Sequence, residues 1–129
     1  RVPVICVVIG EGASGGALGM AIGDKVLMME NAWYSVISPE NCSTILWRSW
    51  DYKEQAADVL KPTAKDMLKL KLIDGIIKEP LGGAHTNLQE SAVFLKKALM
   101  SNLETLKKKS SEERIADRMD KFGSMGVYS

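Results

Sequence analysis

The stretch VVIGEGASGGALGMAIGD, Val7 to Asp24, holds six glycines in eighteen residues. It continues the apolar run from Val2 to Ile9, whose Val and Ile content predicts a strand buried on both faces, as in a parallel sheet. Pro3 is tolerable at the start of such a strand. A backbone this bare after a strand brings main chain close to something that side chains would obstruct. Four loop chemistries compete for it. A Walker phosphate loop needs Lys and then Ser or Thr after its second glycine, but Gly16 and Ala17 follow Gly15. Gly10 to Gly15 also fits G-x-G-x-x-G, with Glu30 near the place of a ribose-binding acid. The helix after it would then carry Gly16, Gly19 and Gly23, each costing about 0.5–1 kcal/mol relative to alanine, and Glu11 would face the pyrophosphate with a like charge. Gly12-Ala13-Ser14-Gly15-Gly16 fits the nucleophile elbow G-x-S-x-G, with His85, the sole histidine, as its base. The fourth chemistry uses the backbone. Successive glycines at a helix start leave N–H groups pointing outward. Such a nest stabilises an oxygen that becomes negative, one donor being worth about 2.7–4 kcal/mol at the barrier. A tight turn with close helix–strand packing is the purely structural alternative.

Outward from this stretch, Ala17 to Ile22 predicts a short helix, and Lys25 to Met29 and Trp33 to Ile37 predict two more strands. Ser38 offers an N-cap with Pro39 at the first helical position and Glu40 in the first turn, opening a helix through NCSTILWRS. Lys53 to Leu60 reads as helix. Pro62 ends it and opens the next, to Leu70. Leu72 to Ile77, with Gly75 inside, reads as a strand, and EPLGGAHTN as a loop. Leu88, Ala92, Leu95, Leu99, Leu103 and Leu106 place one apolar stripe along a long helix. Ser110 and Glu113 form a capping-box pattern for a last helix, whose face holds Ile115, Met119 and Phe122 and which Gly123 can end.

The 129 residues amount to about one domain, and 46% apolar residues suffice for a core. A net charge of +1, from 17 basic and 16 acidic side chains, gives no electrostatic case for nucleic acid or an acidic membrane. No apolar run reaches the roughly 20 residues of a bilayer span, and no signal peptide is read at the start. Two cysteines and one histidine cannot supply a four-ligand zinc site, so no metal is expected. Cys6 and Cys42 are expected as buried thiols of a reducing compartment.

The segments VPVICVVIGEGASGGAL, GDKV, YSVISPENCSTILW and LKLIDGIIKEPLGGAH, with the terminal helices, resemble the alpha subunits of bacterial acetyl-coenzyme A carboxylase carboxyltransferase. The resemblance runs in order from Val2 to Tyr128. ISPE followed by ILW, and LIDGIIKEPLGGAH, are more specific than any glycine motif. Ala13 stands where the family usually has another glycine, and the segments around Trp50 to Pro62 and after Lys107 vary. The match covers only the back part of that subunit, which fits a chain that opens abruptly on a core strand.

The resemblance implies an α/β fold of the crotonase/Clp type, a spiral of strand–strand–helix units. Residues 1–87 would be the C-terminal part of the carboxyltransferase core and residues 88–129 a trailing helical region. It implies a cytoplasmic enzyme moving a carboxyl group from carboxybiotin, borne on a biotin carboxyl carrier protein, to acetyl-coenzyme A. The product, malonyl-coenzyme A, enters fatty acid synthesis. Activity would require a beta subunit, which bears a zinc ribbon, within an ATP-dependent assembly that includes biotin carboxylase and a second alpha subunit. The Gly15 and Gly16 amides would be the catalytic donors facing the biotin ureido oxygen. Gly12, Ala13 and Ser14 would shape their loop, and Ser38, Pro39 and Glu40 would line the biotin side. Two other readings stay open: a noncatalytic assembly domain, and a crotonase-like hydrolase using Ser14.

Overall fold

A computed structural model describes residues 1–126, apart from the side chain of Met20. The expected helical region therefore extends three residues beyond the described part. Among the described residues, five strands fall into two parallel sheets. β1 (Ile5–Val8), β3 (Lys25–Met29) and β5 (Gly75–Ile77) form one, in the order β1-β3-β5. β2 (Glu11–Ala13) and β4 (Trp33–Ser35) form the other. Register is set by Ile5 beside Lys25, Leu27 beside Gly75, and Gly12 beside Tyr34.

Chain order explains the pairing. β1 and β2 lead into α1 (Ser14–Met20), and β3 and β4 into α2 (Pro39–Trp47). Each strand–strand–helix unit gives one strand to each sheet, so successive units stack in parallel as turns of a spiral. α3 (Lys53–Leu60) and α4 (Ala64–Lys69) return the chain to β5, and α5 (Leu88–Lys107) and α6 (Ser111–Gly123) trail behind. This is the crotonase-type spiral expected from the resemblance.

β3 is the centre of the core. Val26, Leu27, Met28 and Met29 are all buried, together with Ala21, Ala32, Ala64, Met67, Ile73 and Ile77. A strand covered on both faces reads as an unbroken apolar run rather than an alternation. Ser38 caps α2 by accepting from the Asn41 amide (3.3 Å), with Pro39 at the first helical position. Ser110 and Glu113 close a full capping box on α6.

Several boundaries differ from the sequence expectation. β1 covers only Ile5–Val8, and β4 stops at Ser35. Gly12 and Ala13, expected in a loop, are strand residues of β2, because β4 supplies a parallel ladder from a distant part of the chain. α4 starts after Pro62, with Thr63 as the cap that accepts from the Asp66 amide. The EPLGGAHTN loop contains a single 3-10 turn, Ala84–Thr86. On α5 the stripe is carried by Leu95, Leu99, Leu103 and Leu106, while Leu88 and Ala92 are exposed.

The larger correction is at α6. Ile115 and Met119 lie outward, Met119 being 71% exposed. The face turned to the protein instead carries Arg114, Arg118 and Lys121. The surface it meets is polar, so charge complementarity overrides the apolar pattern. Lys121 donates to the carbonyls of Gly23 and Asp24 and to Asp74. Arg118 pairs with Asp24 at 3.1 Å. Cys42 is buried and Cys6 only half-buried, and both are thiols.

Candidate functional site

The glycine stretch resolves into the end of β1, the short strand β2, a sharp corner and α1. Ser14 makes the corner, with φ of +60°. A left-handed residue other than glycine costs roughly 1–2 kcal/mol, so the surrounding ladder must impose it. Ala13, still extended, is held beside Ser35 by the β2–β4 ladder. Tyr34 packs against the same corner, its hydroxyl donating to the Ala17 carbonyl at 3.4 Å. Burial, then the nearby charge of Cys6, pushes the Tyr34 hydroxyl above its usual range, so it stays a donor.

Gly15 and Gly16 occupy the first turn of α1, where N–H groups have no intrahelical acceptor. No side chain caps this helix. Among the described residues neither amide has a hydrogen-bond partner. Both residues are exposed, and a Cβ placed on either would meet nothing within 4 Å. The steric demand for glycine lies at Gly12 instead, where a Cβ would come within 3.0 Å of both Tyr34 Cδ2 and Val8 Cγ1. Packing thus requires Gly12, while Gly15 and Gly16 present bare backbone to open space.

Two cavities flank this corner. One, of about 330 Å³, has Ser14 at its rim and walls of Leu18, Ile22, Val36, Met67 and Phe122. The other, of about 580 Å³, runs along β1 to Gly12, Ala13 and Gly16. Ser38, Pro39 and Glu40 are half-buried at the start of α2 and line neither of them. The structure therefore brings together Gly12, Ala13, Ser14, Gly15 and Gly16, and sets Ser38, Pro39 and Glu40 apart. Ser35 and Val36, which line the Ser14 cavity, went unnoticed in the sequence because nothing there reveals the β2–β4 pairing.

Ser14 has the backbone of a nucleophile elbow, but a nucleophile also needs a base in reach. Among the described residues, no histidine, lysine or carboxylate lines the cavity at Ser14. His85 lies in a different cleft, with Ile9, Asn31 and Glu79. There Glu79 accepts from the Asn31 and Ala84 amides. Burial pulls its carboxyl upward, but these bonds, the Asn31 side chain and the nearby His85 outweigh that, leaving it below its usual value. The histidine belongs to this Glu79 cluster. What the corner offers chemically is two adjacent backbone N–H donors that no group among the described residues engages.

The family model described as acetyl co-enzyme A carboxylase carboxyltransferase-like matches residues 1–126. The chain belongs to this family. Among carboxyltransferase-family relatives, the acetyl-coenzyme A carboxylase carboxyl transferase subunit alpha of Chlorobium phaeobacteroides (strain DSM 266) is 58% identical over 127 residues, covering 98% of this chain and 38% of its own length. The subunit of the same name from Flavobacterium psychrophilum is 56% identical, covering all of this chain and 41% of its own length. The chain thus spans about two fifths of the curated relatives it matches. In fold, it is similar to a crystal structure of transcarboxylase 12S with methylmalonyl-coenzyme A and methylmalonic acid bound. The TM-score is 0.51 at 18% identity, over 76% of this chain and 20% of that one. The likeness supports the crotonase-type architecture. No helix among the described residues is long and apolar enough to cross a membrane.

Proposed function

We propose that this chain supplies one half of a carboxyltransferase centre, in which the Gly15 and Gly16 amides hold an oxygen that gains negative charge. The observation that carries the reading is the pair of exposed, unpartnered N–H groups in the first turn of α1, in a chain of this family. Carboxybiotin, brought by a carrier protein, would supply the activated carboxyl group. The donor set fits its ureido oxygen, an acceptor, and the apolar walls beside Ser14 fit a hydrocarbon ring and arm.

The chain's own contribution is positional. The β2–β4 ladder and Tyr34 fix the corner, the corner aims the two amides, and the short helix keeps them rigid. Donors fixed before reaction act at the barrier without reorganisation. Gly12, Ala13 and Ser14 shape the corner, and Ser38, Pro39 and Glu40, at the start of α2 and outside the two cavities, line the biotin side. The acceptor of the carboxyl group is acetyl-coenzyme A, giving malonyl-coenzyme A for fatty acid synthesis in the cytoplasm. A beta subunit with its zinc ribbon supplies the coenzyme A side, and biotin carboxylase and a second alpha subunit complete the assembly. Residues 1–87 serve as core and residues 88–129 as its helical buttress.

The test uses the full-length subunit assembled with its beta partner. Gly16→Pro deletes one donor in the first helical turn, where no intrahelical hydrogen bond is lost; Gly16→Ala keeps the donor and adds a Cβ into open space. The expected result is a loss of about 10²–10³ in kcat for malonyl-coenzyme A formation in the proline variant, against little change in the alanine variant. Equal activity in both folded complexes would overturn the reading.

A further inference from the structure

The helix that carries the Gly15 and Gly16 amides cannot hold itself in place. α1 has seven residues, three of them glycine, and no side-chain cap. Isolated helices shorter than about 12–15 residues are marginal in water, and each glycine adds chain entropy that must be lost. Leu18 of α1 and Ile22 just beyond it are 60% and 58% exposed. The rigidity of α1 must therefore come from what grips its two ends. The first end is gripped by the β2–β4 ladder and by the Tyr34 hydroxyl at the Ala17 carbonyl. The second end runs through Ala21 into the Gly23–Asp24 turn, and there α6 supplies the grip.

Lys121 is the centre of that grip. An ammonium has three N–H donors, and here all three have acceptors: the Gly23 carbonyl at 3.1 Å, the Asp24 carbonyl at 3.2 Å and Asp74 at 3.0 Å. The turn after α1 is thus tied to Asp74, which lies just before β5 and accepts from the Val26 amide at 2.7 Å. Arg118, one turn earlier on α6, stands 3.1 Å from the Asp24 carboxylate, which also accepts from the Val4 amide. One residue past Lys121, Phe122 enters the wall of the apolar cavity together with Ala17, Leu18, Ala21 and Ile22. Lys121 Nζ lies 4.8 Å from the centre of the Phe122 ring, within cation–π range. The cation that ties the turn therefore also steadies the ring.

We propose that Lys121 and Phe122 are positioning residues for the carboxyl transfer: through the Gly23–Asp24 turn and the apolar side of α1 they keep the Gly15 and Gly16 amides aimed at the oxygen they serve. The proposal rests on the oxyanion role of those amides. Neither side chain touches the reacting atoms. α1 is only about 10 Å long, so a tilt at its exit is passed to its first turn, and a misplacement of about 1 Å can cost as much as 10²-fold in rate.

The experiment follows malonyl-coenzyme A formation and amide hydrogen exchange in the full-length subunit assembled with its beta partner. Lys121→Met removes all three donors, whereas Phe122→Ala leaves the ion pairs and removes the ring. Lys121→Met should lower kcat about tenfold and Phe122→Ala about threefold, with the KM for acetyl-coenzyme A unchanged. Both should speed exchange in α1 while β3 stays protected. Lys109→Gln breaks an exposed ion pair with Asp117 of α6 and should change neither readout. Effects that act through one group do not add, so Lys121→Met should cost less than about threefold further in kcat once Gly16→Pro has removed a donor. Full kcat in Lys121→Met, faster exchange across β3 as well as α1, or an undiminished tenfold loss on top of Gly16→Pro would each overturn the clamp and leave the amide reading standing. Full kcat in Gly16→Pro would instead overturn that reading, and the catalytic role of the clamp with it.

Discussion

At Gly23 a Cβ would come within 2.9 Å of both Cys6 Sγ and the Val4 carbonyl, and 3.2 Å of the Lys25 carbonyl. Two of those atoms are backbone in the central sheet and cannot swing aside, so Gly23→Ala should destabilise by about 1–3 kcal/mol. Gly19 is the opposite case: it lies within α1, and a Cβ there meets nothing. Gly19→Ala should stabilise by about 0.5–1 kcal/mol. Urea unfolding of the two variants checks both signs, and a shared sign would contradict the packing described here. The sequence presents these glycines in one run and cannot rank them. Chain entropy and backbone reach are local properties, whereas the atoms that crowd Gly12 and Gly23 come from Val8, Tyr34, Val4 and Lys25, placed by sheet pairing.

Elements whose signals are local were legible. Pro39 after Ser38, the Ser110–Glu113 box and the apolar run of β3 all form as their chemistry dictates. Removing the cap by Ser110→Ala should cost about 1 kcal/mol, within the usual range for such caps, and lower the helical signal of α6 before global unfolding. Elements whose partners are distant were not legible. β2 is three residues with two small side chains, and only its ladder with β4 makes it a strand. α6 shows the same limit in another form. Of its apolar residues only Phe122 turns inward, while Ile115 and Met119 lie outward, because a periodicity says nothing of whether the opposing surface is polar. The Gly15–Gly16 pair could be singled out from sequence. That its amides stay unpartnered required the corner at Ser14, which no residue type announces.

For the molecule as a whole, Asp74 links three elements. Burial raises its carboxyl, but the Val26 amide, the hydrogen bond and charge of Lys121, and the charge of Lys25 outweigh this and hold it below the ordinary 3.8. A carboxyl depressed in the folded state adds stability that is fully present above its unfolded value and is lost as pH falls through the folded one. Acidification below 3.8 should therefore loosen α6 and the start of β3 together. Asp74→Asn should lower stability near neutrality and flatten the acid limb of the stability curve, with the gap to the unmodified protein closing as pH falls. A gap that stays constant across that range would assign the stabilisation to shape rather than charge.

The order of the large sheet, β1 then β3 then β5, follows the order of synthesis. A ribosome releases the turns in the sequence in which they stack, so each newcomer finds a finished template beside it and never has to insert between two others. Assembly can then advance as winding does, from one side only. A slow-translating codon cluster placed between β4 and β5 should do less harm to yield than the same pause inside β3, where half a template would wait uncovered.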